Sequence, residues 1–200
     1  MFIKDWKKEI FTIPNLLSLF RLLLIPVYVI IYLNAEDTMD YLLSGAILAV
    51  SCLTDLIDGK IARRYNMIST VGKILDPFAD KATQFALTIC LALKYPILWY
   101  LLGLFIVKES FQIIAGGISL KHGKMLNGAL ISGKICTTVL FISLIFMILI
   151  PQLSSGMVLF LTIIDIVCMV VAFIDYILAY CRPGSRFQTI VETNKKDPEV

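Results

Sequence analysis

Residues Pro14–Leu33 read PNLLSLFRLLLIPVYVIIYL, and Arg21 is the single charged side chain in this run. A helix of about 20 apolar residues is long enough to cross the roughly 30 Å hydrocarbon core of a bilayer. Few charges are tolerated inside such a helix, and those present are functional candidates. The stretch therefore predicts a transmembrane helix with one charge of possible importance.

Five further stretches have a similar length and character. They are Tyr41–Asp58, Ile74–Leu93, Pro96–Ala115, Leu130–Ile150 and Met157–Tyr180. The composition agrees, because 58% of the 200 residues are apolar and 16% are charged, whereas soluble domains are about half apolar and about a quarter charged. The sequence predicts an all-α fold, a bundle of six transmembrane helices over residues 13–181, with no stretch left for a soluble domain.

The two ends of the chain differ from the spans. Residues 1–12 place Trp6 and other apolar side chains among lysines, a pattern that favours a short amphipathic helix in the membrane interface. A cleaved signal peptide is the alternative, but the apolar run after Asn15 is too long and no A-x-A site follows it. Residues 182–200 are polar, which predicts a flexible tail.

Basic residues are distributed unequally between the connections. One side of the predicted bundle has thirteen of them, namely Lys4, Lys7, Lys8, Lys60, Arg63, Arg64, Lys73, Lys121, Lys124, Arg182, Arg186, Lys195 and Lys196. The opposite side has Lys94 and three acidic residues. The positive-inside rule then predicts a multi-pass protein of the cell membrane with both termini in the cytoplasm.

Four aspartates fall at one depth in this bundle. Asp55 and Asp58 are three residues apart in the second span, and Asp76 and Asp80 are four residues apart in the third, so each pair lies on one face of its helix. The short connection makes the two helices antiparallel neighbours, which brings the pairs together. Carboxylates this close in a low dielectric need cations. An all-oxygen site fits Mg²⁺, Mn²⁺ or Ca²⁺, and the alternative is a structural network with nearby lysines and arginines.

The segment that contains these aspartates has a regular pattern. It reads D-L-I-D-G-K-I-A-R from Asp55, then eight residues, then G-K-I-L-D-P-F-A-D up to Asp80. Gly59 and Ala62 lack side-chain bulk, which lets a nucleotide lie against the helix. Arg63 offers a planar fork for phosphate. Tight helix packing is the alternative explanation of the small residues.

The pattern resembles the signature of the CDP-alcohol phosphatidyltransferases, D-x2-D-G-x2-A-R-x8-G-x3-D-x3-D, at all its specified positions. The resemblance implies a six-helix membrane protein, usually a homodimer, that binds CDP-diacylglycerol with two Mg²⁺ ions, for which Mn²⁺ could substitute, and releases CMP. The implied metal ligands are Asp55, Asp58, Asp76 and Asp80, with Asp80 also the general base. The implied nucleotide-binding residues are Asp55, Asp58, Gly59, Ala62, Arg63 and Gly72.

Residues outside the signature indicate the acceptor. Ile13–Leu17 with Arg21, and Gly133-Lys134 with Thr137-Thr138, resemble bacterial phosphatidylglycerophosphate synthases, which implies glycerol 3-phosphate as the acceptor. The cations that could hold an anionic acceptor are Arg21, Lys81, Lys108 and Lys134, although each could instead be the counter-ion of an aspartate. That subgroup often has Arg-Glu where this chain has Lys108-Glu109.

Two other functions stay open. A CMP-forming cardiolipin synthase would use phosphatidylglycerol as the acceptor and shares the same features. A divalent-cation transporter would also need an acidic cavity, but the second and third spans are apolar beyond the aspartates, which favours a pocket open to one side. Membrane lipids are expected around the protein, and no nucleic-acid partner is expected.

Overall fold

A computed structural model describes residues 13–64, 72–122, 124–126, 130–150, 152–181 and 187–189. Side chains are described for 15–54, 75–122, 130–150 and 152–181. This part of the chain contains six helices and two short strands. They are α1 (Ile13–Leu33), α2 (Thr38–Arg64), α3 (Gly72–Lys94), α4 (Leu98–Lys121), β1 (Lys124–Leu126), α5 (Ile131–Leu149), α6 (Ser155–Cys181) and β2 (Phe187–Thr189).

Each predicted span coincides with one of the six helices. Four of these helices, α1, α4, α5 and α6, are long and apolar enough to cross a membrane, as expected for a membrane protein. In α2 the apolar part among the described residues is Thr38–Thr54, and α3 carries Asp76, Asp80 and Lys81 in its first half. Charge shortens the apolar length of these two helices, so the predicted count of six spans stays a prediction.

The strands were not predicted. β1 and β2 pair antiparallel, with Met125 opposite Gln188. β2 lies within residues 182–200, the segment expected to be a flexible tail, and the flexibility of that segment stays a prediction. Strands of three residues carry too short a pattern to be recognised, and their pairing joins distant parts of the chain. The predicted interfacial helix, residues 1–12, lies outside the described residues.

The chain divides into two compact units. The first falls within Met1–Tyr95 and Leu144–Leu153, and the second within Pro96–Ser143 and Ser154–Val200. In the first unit, α1 packs against both α2 and α3. A small apolar pocket is lined by all three helices, including Leu24 of α1, Leu48 of α2 and Leu87 of α3. Helix α1 is therefore the element that connects α2 and α3.

The second unit is built on the packing of α4 against α6. The ring of Phe111 on α4 makes edge-to-face contacts with Phe173 and Tyr180 of α6, at centroid distances of 5.4 and 6.1 Å. Such aromatic pairs contribute about 0.5–1.5 kcal/mol beyond the area that they bury. Strand β1 lies against α4, so the strand pair adjoins the end of this helix pair.

The outward faces of the helices are apolar. Leu23 and Ile30 of α1, Ile113 of α4 and Ile142 of α5 are each more than 60% exposed. Exposed aliphatic side chains on this scale would be unfavourable in water and are those that lipid chains cover. The polar side chains of α1 lie on its buried face instead, and these include Asn15, Ser18 and Arg21.

Cysteine reactivity tests this arrangement. Cys181, at the end of α6, is exposed, whereas Cys90 and Cys136 are buried. In mild detergent a polar maleimide should label Cys181 rapidly and the two buried thiols only after denaturation, because packed helices exclude the reagent. Mass spectrometry of the labelled peptides measures this, with Cys181→Ser as the control. Rapid labelling of Cys90 or Cys136 in the folded protein would contradict the helix packing.

Candidate active site

The aspartate segment lies at the end of one helix and the start of the next. Asp55 and Asp58 fall in the last ten residues of α2, and Asp76 and Asp80 in the first nine of α3. The backbone is helical at all four positions, so the two residues of each pair are about one turn apart in their helix. That the four carboxylates come together stays a prediction. Helix α3 continues through Pro77. The side chains of residues 55–64 and 72–74, which include the predicted nucleotide-binding residues, lie outside the described side chains.

Asp76 is held by Ser18, an uncharged residue that no sequence pattern marks as functional. The hydroxyl of Ser18 on α1 donates a hydrogen bond to Oδ1 of Asp76, with an O–O distance of 2.5 Å. Charge-assisted O–H···O⁻ bonds have this length. Ser18 is fully buried. In a membrane a hydrogen bond between helices stabilises their packing by about 0.6–2 kcal/mol, so this contact also attaches α1 to α3.

Asp80 has a cationic partner. Nη1 of Arg21 donates to Oδ1 of Asp80 in an ion pair. The Arg21 side chain is 3% exposed and that of Asp80 is 50% exposed. The Arg21 guanidinium is therefore buried in the protein, whereas half of the Asp80 side-chain surface stays exposed. Arg21 is thus the counter-ion of an aspartate in this structure, one of the two roles expected for it. Its use for an acceptor phosphate stays a prediction.

The described atoms fit a divalent cation. Asp76 and Asp80 are one helical turn apart, and each has a second carboxylate oxygen, Oδ2, besides the one bonded to α1. Carboxylate oxygens are the preferred ligands of Mg²⁺ and Ca²⁺. Among the described residues no group of three or more His, Cys, Asp or Glu side chains could hold a metal ion. Since the Asp55 and Asp58 side chains are outside that set, the site of four carboxylates stays a prediction.

Lys108 lies in a polar cluster of the second unit. Its Nζ donates to Oε1 of Glu109 at 2.7 Å and to Oε1 of Gln112 at 2.8 Å, and it lies 5.8 Å from the centre of the Tyr176 ring. Lys108 is 2% exposed. Its charge is thus compensated within the protein, and its predicted contact with an acceptor stays a prediction.

The Gly133-Lys134 pair adjoins the same cluster. A Cβ at Gly133 would lie 2.6 Å from the hydroxyl oxygen of Tyr176, so only glycine leaves room for this ring. Lys134 is exposed, and its carbonyl accepts hydrogen bonds from the hydroxyls of Thr137 and Thr138 at 3.0 and 2.9 Å. Lys81 on α3 is partly buried. The predicted contact of Lys134 and Lys81 with an acceptor stays a prediction.

Two further acidic residues were missed. Asp175 of α6 accepts a hydrogen bond from Ser132 of α5 at 2.6 Å. Asp165 is 1% exposed near the middle of α6, and Ser143 of α5 is a polar neighbour. Both interrupt an otherwise apolar stretch, which is the same signal that identified Arg21. Asp175 attaches α6 to α5 through its hydrogen bond with Ser132, whereas both carboxylate oxygens of Asp165 are buried without a hydrogen-bond partner among the described residues.

A family model for CDP-alcohol phosphatidyltransferase matches residues 11–174. This match covers more than three quarters of the chain and includes α1, α2 and α3 with all four aspartates of the motif. The chain therefore belongs to the CDP-alcohol phosphatidyltransferase family.

Curated relatives carry two different names. A CDP-diacylglycerol–glycerol-3-phosphate 3-phosphatidyltransferase of Aquifex aeolicus is 33% identical over an alignment of 180 positions that covers 83% of this chain and 94% of that protein. A CMP-forming cardiolipin synthase of Streptomyces coelicolor is 32% identical over 117 residues, 58% of this chain and 54% of that protein. A cardiolipin synthase and hydrolase fusion protein of Schizosaccharomyces pombe is 42% identical over 89 residues, 44% of this chain.

Coverage of these relatives is uneven. The chain spans about half the length of the Streptomyces cardiolipin synthase and 14% of the Schizosaccharomyces fusion protein. Only the Aquifex relative among these three is matched over nearly its whole length. The comparisons thus give the family and leave the acceptor open between two named activities.

The contact between Gly133 and Tyr176 gives a prediction about stability. Gly133→Ala should lower the free energy of unfolding by about 1–3 kcal/mol, because the new methyl group overlaps the Tyr176 hydroxyl. The thermal midpoint in detergent measures this. Gly103→Ala on α4 is the matched control, since nothing lies within 4 Å of its added Cβ. Adding Tyr176→Phe should restore part of the loss, and equal midpoints for the two alanine variants would contradict the packing.

Proposed function

We propose that this protein transfers a phosphatidyl group from CDP-diacylglycerol to sn-glycerol 3-phosphate, forming phosphatidylglycerophosphate and releasing CMP in phospholipid biosynthesis. The observation that carries this proposal is the match to the Aquifex relative over 94% of that protein's length. The complete aspartate motif at residues 55–80 supports the same chemistry. Family membership also favours group transfer over the transport of divalent cations.

The donor site in this proposal is formed by the motif. The carboxylates of Asp55, Asp58, Asp76 and Asp80 hold the metal. The diphosphate and cytidine lie against the residues with small side chains and the arginine of the motif, which are Gly59, Ala62, Arg63 and Gly72. Helical backbone at these positions supports the proposal, because residues one turn apart then present a continuous surface to the nucleotide.

The family generally uses a divalent metal, and we propose two Mg²⁺ ions here, for which Mn²⁺ could substitute. When bound, such ions neutralise the charge of the diphosphate and make a nearby hydroxyl more acidic. The half-exposed carboxylate of Asp80 supports its role, because a group reached from outside can meet both a cation and an incoming substrate. Arg21 offsets part of the repulsion between Asp80 and its acidic neighbours.

The reaction requires one proton transfer and one displacement at phosphorus. The hydroxyl oxygen of the acceptor attacks the β-phosphorus of CDP-diacylglycerol and forms a new P–O bond. The bond from that phosphorus to the bridging oxygen breaks, and CMP leaves with the electron pair. Asp80 accepts the proton of the hydroxyl. Asp55, Asp58 and Asp76 keep the diphosphate and its counter-ions in place while the bonds exchange.

We assign glycerol 3-phosphate as the acceptor for two reasons. The chain has cationic residues that could bind a phosphate, and it matches the Aquifex relative over 94% of that protein's length. The phosphate of glycerol 3-phosphate would be held by some of the four cations, Arg21, Lys81, Lys108 and Lys134. Lys134 and Lys81 are supported by their accessibility. Cardiolipin synthesis from phosphatidylglycerol is the second candidate. The cardiolipin synthase of Streptomyces is 32% identical over 58% of the chain, close to the 33% identity of the Aquifex relative.

The surroundings of the reaction are also proposed. Residues 13–181 form the catalytic membrane domain, residues 1–12 an interfacial helix, and residues 182–200 a cytoplasmic tail. Both termini face the cytoplasm of the cell membrane, and the protein acts as a homodimer. The excess of basic residues in the connections on one side supports this orientation.

The acceptor can be determined directly. Purified protein with Mg²⁺ and CDP-diacylglycerol should release CMP when glycerol 3-phosphate is added, and far less with phosphatidylglycerol or with inositol. CMP is measured by chromatography and the lipid product by mass spectrometry. If the product is cardiolipin, the protein is a cardiolipin synthase and the assignment to glycerol 3-phosphate is wrong. CMP release with none of the acceptors would contradict the proposed activity.

The role of Asp80 predicts a loss of turnover. Asp80→Asn should lower kcat by roughly 10²–10⁴-fold, the usual contribution of a general base. CDP-diacylglycerol should still bind in the presence of Mg²⁺, which a filter assay with labelled donor measures. Asp37→Asn, a change at an exposed acid in the connection before α2, is the control and should keep full activity. Near-normal turnover of a folded Asp80→Asn enzyme would exclude Asp80 as the base.

A further inference from the structure

The buried face of α1 is polar although the helix is apolar elsewhere. Asn15, Ser18 and Arg21 follow one another at intervals of three residues and are 4%, 0% and 2% exposed. Their neighbours Leu19 and Phe20 are 47% and 45% exposed. Burying polar groups in a helix of the membrane is unfavourable unless they meet partners. The partners described for Ser18 and Arg21 include the two motif aspartates of α3.

The two contacting residues on α1 are separated along the helix axis by nearly the same distance as their two partners on α3. Ser18 to Arg21 is a rise of about 4.5 Å, and Asp76 to Asp80 is a rise of about 6 Å in the same chain direction. The first residue of each pair meets the first of the other, and the second meets the second. These two contacts therefore fix both the axial position of α1 against α3 and the directions of the two carboxylates.

The two aspartates differ in the kind of partner that they have. Asp80 is paired with a cation, Arg21, whereas the partner described for Asp76 is the neutral hydroxyl of Ser18. A hydroxyl donor orients a carboxylate without cancelling its charge. It engages Oδ1, and the full negative charge remains available to a cation that approaches Oδ2.

We propose that Ser18 is a positioning residue for the metal site: its hydroxyl holds Asp76 in the one orientation that presents Oδ2 to the divalent cation. The inference rests on the proposed function, because it takes Asp76 to be a metal ligand. Groups that orient metal ligands in this way usually contribute 10–100-fold to metal affinity. Ser18 would act through Asp76 and would not touch the substrate.

The test uses Mn²⁺ alone as the probe, bound to the full-length protein in detergent and followed by electron paramagnetic resonance. Ser18→Ala should weaken Mn²⁺ binding about 10-fold or more, and Ser18→Thr, which keeps a hydroxyl, should restore most of the affinity. Ser44→Ala is the matched control. Ser44 is equally buried, but its hydroxyl donates to the Tyr41 carbonyl of its own helix at 2.8 Å, so Mn²⁺ affinity should not change.

A double-mutant cycle separates positioning from general packing. In an Asp76→Asn background, Ser18→Ala should cause no further loss of Mn²⁺ affinity, because the carboxylate that it orients is already gone. Unchanged Mn²⁺ binding by folded Ser18→Ala would overturn the inference. Equal losses for the variants at Ser18 and Ser44 would do so too, and so would a wild-type protein that binds no Mn²⁺.

The binding experiment is independent of turnover. If the wild-type protein binds Mn²⁺ but forms no CMP with any acceptor, the proposed function fails while the Ser18 inference is still decided by the same titrations. If CMP is formed, the inference adds a kinetic expectation. The Mg²⁺ concentration for half-maximal rate should rise about 10-fold in Ser18→Ala, and kcat at saturating Mg²⁺ should change little.

Discussion

The contact between α1 and the motif aspartates of α3 determines how the charges of the first unit are compensated. Carboxylates at this depth cannot be left without partners, because the cost of desolvating an unpaired charge is several kcal/mol. Arg21 and Ser18 supply those partners from one helix. Because Asp80 keeps half of its surface exposed, its pair with Arg21 avoids full desolvation and leaves the carboxylate able to exchange partners.

The positions of the six helices could be predicted from the sequence. Four of them, α1, α4, α5 and α6, are long apolar runs of the length that a bilayer requires, and α2 and α3 combine a shorter apolar part with charged residues. The ends of the helices could not be predicted. Helix α4 continues from the predicted end at Ala115 to Lys121, because a helix does not stop where its apolar run stops. The pairing of Lys124–Leu126 with Phe187–Thr189 depends on a contact across about sixty residues of chain, for which three-residue strands give no local pattern.

The candidate site was predictable as a set of charges and less so as a set of contacts. Arg21 and Asp80 were each identified because they are charged residues within apolar stretches. Their pairing depends on the packing of α1 beside α3, and the residue spacing within the motif gives no information about that packing. Ser18 has no charge and gave no signal of its own. Lys108 was expected to face a substrate, but the adjacent Glu109 and Gln112 four residues on are its described partners, and local sequence alone could have suggested them.

The polar face of α1 also bears on how the protein is made. Arg21 leaves the ribosome 59 residues before Asp80, so α1 reaches the translocon while its counter-ion has not yet been synthesised. On insertion scales an arginine in the middle of a helix costs about 2.5–3.5 kcal/mol, whereas the eleven leucines and isoleucines of α1 together contribute about 3–7 kcal/mol in favour of insertion. Helix α1 can therefore enter lipid before α3 is made, with Arg21 still uncompensated. The ion pair with Asp80 then forms between helices that are already in the membrane, so charge pairing is a step of assembly that follows insertion.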